Sequence, residues 1–150
     1  MFNLEINDLD KKIWDEELND FVPEKVYDVH THIYQWQSNL DKNKNTGPYK
    51  YQGENFQNVS FDLLNEVDNK LMPGIVVERL SFPFPYNYPC DFDNSNLYVS
   101  SQINNHQESD NLILINPLMS KEEITKNLQL SQAVGFKPYR TYSKTGDITN

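Results

Sequence analysis

Apolar residues recur along this chain in two alternating ways, at helical spacing and in short unbroken runs. In residues 7–19, Leu9, Ile13, Trp14 and Leu18 fall on one helical face with Asp15, Glu16 and Glu17 between them. That pattern predicts an amphipathic helix, ended by Pro23 a few residues on. Residues 26–34 (VYDVHTHIY) are rich in β-branched and aromatic side chains and read as a strand. Residues 35–59 are polar, contain Gly47, Pro48 and Gly53, and have no period. A loop of that length is uncommon unless it serves as a lid or binding loop. Ser60 then caps a helix in which Phe61, Leu64, Val67 and Leu71 share a face, and Pro73 with Gly74 stops it.

Residues 75–80 predict a second strand, followed by a loop (81–91) dense in proline and aromatics. Residues 93–105 are a weaker helix through Leu97, Val99 and Ile103. Residues 111–119 (NLILINPLM) form a third strand, a continuous apolar run of the kind buried on both faces. Ser120 and Glu123 make a capping box that opens a helix to about residue 134, with Gly135 as its stop. Residues 135–140 (GFKPYR) are a fourth short strand.

Strands that alternate with helices of this length imply parallel pairing through right-handed crossovers, hence an α/β fold. A complete (β/α)₈ TIM barrel needs eight strands and ~250 residues. About four parallel strands with intervening helices and an N-terminal helix therefore predict part of such a barrel. The expected organisation is an N-terminal helical arm (1–25), the first half of a barrel (26–140) and a truncated loop end (141–150).

Charge and composition narrow the partners. The formal net charge is -9 and the pI is near 4.7, which disfavours nucleic acid and anionic membranes, both bound through Lys and Arg. A small-molecule substrate is the partner class left open. The one cysteine, Cys90, forms no internal disulfide, and no apolar run approaches the ~18 residues of a membrane span. The acidic start lacks the pattern of a signal peptide, so the expected location is cytoplasmic. Four parallel strands without closure also leave two open sheet edges, which predicts a possible homo-oligomer through them.

The run Asp28, His30, His32 (D-x-H-x-H) carries the chemistry. Side chains on a strand alternate with period two, so the three are expected on one side, the two imidazoles converging at the strand's C-terminal end. Barrel enzymes keep their active sites there, and a divalent metal, zinc first, accepts neutral imidazole nitrogen. The plain alternative is a pair of ordinary histidines at a strand end, one of them paired with Asp28. Asp28 is expected to hydrogen-bond an imidazole rather than to ligate. His106 lies in a polar helix end and is expected to be solvated. Glu78 and Arg79 interrupt an apolar strand, so one of them must face inward, in an ion pair or at a site. Residues 82–86 and 49–51 could each wall a pocket or only pack a loop.

From Asp20 to His32 (DFVPEKVYDVHTH) the chain resembles the opening of the amidohydrolase superfamily, in its amidohydrolase-2 branch, and Lys137, Pro138, Tyr139 and Arg140 resemble a fourth-strand motif of that branch. The resemblance spans about residues 9–147. It implies a metal-bearing (β/α)₈ barrel that acts on a small carbonyl or carboxylate substrate by hydrolysis, decarboxylation or isomerisation. By the resemblance His30 and His32 are first-strand metal ligands, and the family's other ligands would lie beyond Asn150, so little or no turnover is expected of this chain alone. In some branches a fourth-strand lysine is carbamylated and bridges two metals. Lys137 is the catalytic candidate, as that bridge or as an ammonium for a substrate carboxylate, and its plain alternative is a solvated lysine or a partner of Glu78. Arg140 and Tyr139 are candidates for substrate binding.

Two rivals stand beside that reading. A phosphoesterase family opens with a similar D-x-H-x-H but follows it with a Ser-Asp-Gly-like turn, where this chain has Ile33, Tyr34 and Gln35. The other is a non-catalytic half-barrel that persists by pairing with a second chain.

Overall fold

The computed structural model describes residues 5–45 and 50–143. Asn7 caps α1 (Asp8–Ile13) through a capping box with Asp10, and a π-helical turn, Trp14–Leu18, continues it. Trp14 is buried there and Ile13 half-buried, whereas Leu9 is largely exposed, so the arm buries part of its apolar face rather than the whole of it.

The barrel part follows the expected alternation. β1 (Lys25–His32) is followed by a short strand β2 (Tyr34–Gln35), a 3₁₀ turn (Trp36–Ser38), α2 (Lys50–Asn55) and β3 (Asn58–Val59). Then come α3 (Phe61–Leu71), β4 (Val76–Phe82), α4 (Phe92–Ile103), β5 (Asp110–Ile115), α5 (Lys121–Ser131) and β6 (Gly135–Pro138). β1, β4, β5 and β6 form one sheet in that order, every neighbouring pair parallel. The protein is thus an α/β half-barrel, with helices covering one face of a four-stranded parallel sheet.

Polar residues hold much of the helix–sheet seam. In α4, Ser95, Asn96 and Ser100 are buried along with Val99 and Ile103. The Asn96 amide matches the Leu114 peptide on both sides: Leu114 N–H donates to Asn96 Oδ1 at 2.7 Å, and Asn96 Nδ2 donates to the Leu114 carbonyl at 3.2 Å. Buried polar groups are tolerated when so satisfied, which is why this helix has a weak apolar stripe yet a buried face.

The structure corrects four expectations. The stretch 35–59 is not a featureless loop: β2 and β3 pair antiparallel within it, Ser38 and Asn39 are buried, and Gly53 lies so close beneath the Trp36 ring that a Cβ would sit 2.5 Å from Trp36 Cζ2. Residues 46–49, with Tyr49, lie outside the described residues. The last helix ends at Ser131, where Gln132 takes the left-handed conformation (φ 49°) expected of Gly135; Gly135 instead opens β6. Of the expected loop end 141–150, residues 144–150 lie outside the described residues, and the part before them is not loose, because the 3₁₀ turn Arg140–Tyr142 buries Tyr142 against Phe92 and Leu114, its hydroxyl donating to the Tyr86 carbonyl at 2.8 Å. His106 is not simply solvated but stacks on Phe61, ring centroids 3.6 Å apart.

Candidate metal centre

The parallel register decides which side chains meet. His32 lies opposite Phe82 and Leu114 opposite Lys137, whereas Asp28 lies opposite Arg79, and Thr31 opposite Ser81. Side chains at paired positions point the same way and alternate along each strand. Asp28, Thr31, Arg79 and Ser81 therefore face the helices, where Arg79 reaches Asp68 of α3. His32, Phe82 and Lys137 face the other way, towards the aromatic segment that follows β4.

At the C-terminal end of β1 the two imidazoles converge, ring centroids 5.3 Å apart and planes at 70°. Phe82 is the floor of this group: its ring is fully buried and lies 4.9 Å from each histidine, edge to face. Phe84 stands 5.2 Å from His32 and extends the wall towards Tyr34 and Tyr86. The aromatic run after β4 thus lines the group, whereas the exposed Tyr51 lies against Phe56.

His32 is held by a contact that no sequence pattern announced. Its Nδ1 lies 3.2 Å from the Pro83 carbonyl. A carbonyl only accepts, so Nδ1 carries the proton and Nε2 keeps its lone pair. Burial pushes the His32 imidazole below its ordinary value of 6.5, and the charges of His30 and Lys137 act in the same direction against the Pro83 carbonyl. The ring is therefore neutral at pH 7, the form that binds metals.

Lys137 joins the group from β6. Its Nζ lies 4.5 Å from the Phe82 ring centroid and 5.7 Å from that of Tyr139, a cation–π seat that orients an ammonium without neutralising it. Glu78, the carboxylate weighed as its partner, instead accepts from the Ser109 hydroxyl. Tyr139 stands 6.4 Å from His32, and among the described residues its buried hydroxyl finds no hydrogen-bond partner. Arg140 is exposed at the start of the last 3₁₀ turn and is not brought into contact with the histidines.

Asp28 differs from expectation. It does not share the face of the histidines or bond an imidazole. β1 carries a bulge between Asp28 and Thr31, so that Val29 and His30 together oppose Leu80 alone. Asp28 Oδ1 accepts from the backbone N–H of His30 at 2.9 Å, and Oδ2 accepts from the Thr31 hydroxyl at 2.6 Å. Burial raises its carboxyl, but these bonds and the nearby Arg79 together hold it below its ordinary range.

Two other residues stay outside the group. Arg79, buried and paired with Asp68, resolves the charge in β4 as an internal ion pair. The Cys90 thiol, packed against Phe92, Leu114 and Tyr142, is pushed up to about 11 by burial, which keeps it protonated.

Among the described residues no group of three or more His, Cys, Asp or Glu side chains is arranged to hold a metal ion, and no helix is long and apolar enough to cross a membrane. No family model, curated protein or solved structure matches the chain.

Proposed function

We propose that the chain carries part of an amidohydrolase-like active site in which His30 and His32 hold a divalent metal, zinc by preference, beside a small carbonyl or carboxylate substrate. The observation that carries this reading is the spacing of the two rings. Imidazoles bound at ~2.1 Å to one tetrahedral zinc have their centroids roughly 5 Å apart, and here they are 5.3 Å apart. The Pro83 carbonyl adds support, because metal-binding histidines usually donate their other ring N–H to such an acceptor.

When bound, the ion supplies a water of lowered pKa and polarises a carbonyl oxygen. The chain's own residues do the rest. Phe82 and Phe84 exclude water from one side of the histidines. Lys137, charged and aromatic-seated, receives a substrate carboxylate and sets its distance from the histidines. That arrangement serves hydrolysis, and it serves decarboxylation or isomerisation as well, because each builds up negative charge that a nearby cation stabilises.

Cobalt(II), a paramagnetic stand-in for zinc, gives a direct test. Chain loaded with cobalt is expected to broaden the proton resonances of added propionate. Lys137→Met is expected to weaken propionate binding about tenfold, the worth of one charge-assisted hydrogen bond, while cobalt stays bound. Broadening that is unchanged in Lys137→Met removes the lysine from the site, and none in the wild type removes the substrate reading.

A further inference from the structure

We propose that Asp28 is a positioning residue for His30, clamping the β1 bulge that turns the histidine pair away from the helices, with Arg79 fixing Asp28 from the helix side. The inference deepens the metal reading and rests on it for its functional meaning, but its geometric part stands on the strand alone.

Asp28 faces the helix layer, opposite Arg79, with Arg79 Nη1 4.0 Å from Asp28 Oδ2. On a regular strand His30 and His32, two and four residues later, would face the same way. They would then lie under the helices rather than on Phe82. One extra residue inverts the alternation, and the bulge supplies it. The histidine pair therefore reaches the face opposite the helices only because the bulge exists.

Asp28 holds both ends of that bulge. One carboxylate oxygen takes the His30 N–H and the other takes the Thr31 hydroxyl, so no other acceptor is needed where the ladder is broken. Arg79 is 3% exposed and anchored to Asp68 of α3, which ties the carboxylate to the helix layer. The carboxylate touches neither imidazole ring in this arrangement. It acts through the backbone of His30.

The test uses the full chain and zinc ion as the probe. In the metal-free wild type, the His30 and His32 ring protons should show a mutual nuclear Overhauser contact, which Asp28→Ala should lose. The same variant should bind zinc about tenfold more weakly or worse, the usual cost of removing a group that orients a ligand. Asp28→Asn keeps an oxygen for the His30 N–H and should restore both readouts to near wild type, which a general structural role for the charge would not produce. An intact His30–His32 contact in Asp28→Ala, or Asn failing as badly as Ala, overturns the proposal. If Asp28→Ala unfolds, seen as loss of the Phe61–His106 stacking contact, Thr31→Val removes one clamp only. A weakened His30–His32 contact there supports the proposal, and an unchanged one overturns it. Zinc that leaves the wild-type His30 and His32 resonances unmoved overturns the metal reading alone, while loss of the contact in metal-free Asp28→Ala still supports the clamp.

Discussion

Replacing His30 and His32 together by alanine is expected to abolish zinc binding while the chain remains folded. His30 is exposed and His32 half-buried, so their removal costs edge-to-face contacts worth about 0.5–1.5 kcal/mol each and leaves the buried Phe82 and Ile33 in place. The wild type should bind one zinc per chain in a calorimetric titration at pH 7.5, and the double variant none at the same site. Acid should weaken the wild-type affinity, with a sign that follows from His32. Its folded value lies below the ordinary 6.5, so near pH 6.5 the folded ring is mostly neutral while the unfolded one is half protonated. The contribution of His32 to stability is therefore complete above pH 6.5 and is lost as the pH falls through the depressed value. Zinc binds only the neutral ring and should be expelled over the same fall. Equal zinc uptake by wild type and double variant would remove the site.

The second large effect is expected on the other face of the sheet. Asp68→Ala leaves the Arg79 guanidinium buried beside Phe61 without its closest carboxylate. Breaking a buried ion pair from one side costs about 3–5 kcal/mol, and the lower end applies here because Asp28 stays within 4.0 Å of Arg79. Urea unfolding should show a loss of about 3 kcal/mol. Arg79→Met combined with Asp68→Leu should recover most of it, since apolar replacement of a buried pair is often neutral or better. A loss below about 1 kcal/mol, the range of exposed pairs, would contradict the burial argument.

The order of helices and strands was legible because each element depends on local rules. Ser60 and Ser120 cap the helices they were expected to cap, and the runs around Val77 and Ile113 are strands of the expected parallel sheet. The convergence of His30 with His32 was legible for the same reason, since two residues of one strand on one side need only the period of the strand. What failed was every inference that crossed an irregularity. Counting in twos puts Asp28 with the histidines, and one bulged residue invalidates that count. An aspartate whose side chain takes an N–H two residues on, with a threonine three on, is the local sign of such a turn in the strand. The Pro83 carbonyl was invisible because backbone acceptors carry no residue signature. Tyr142 was missed because its partners, Phe92 and the Tyr86 carbonyl, lie about fifty residues upstream.

Anomalous diffraction from zinc-soaked crystals, recorded on both sides of the zinc absorption edge, tests the central claim at atomic level. A peak is expected about 2.1 Å from Nε2 of His32, shared with a ring nitrogen of His30 and lying on the side of the sheet away from α3. Zinc found only elsewhere, or His30 and His32 turned to opposite sides of β1, would contradict it.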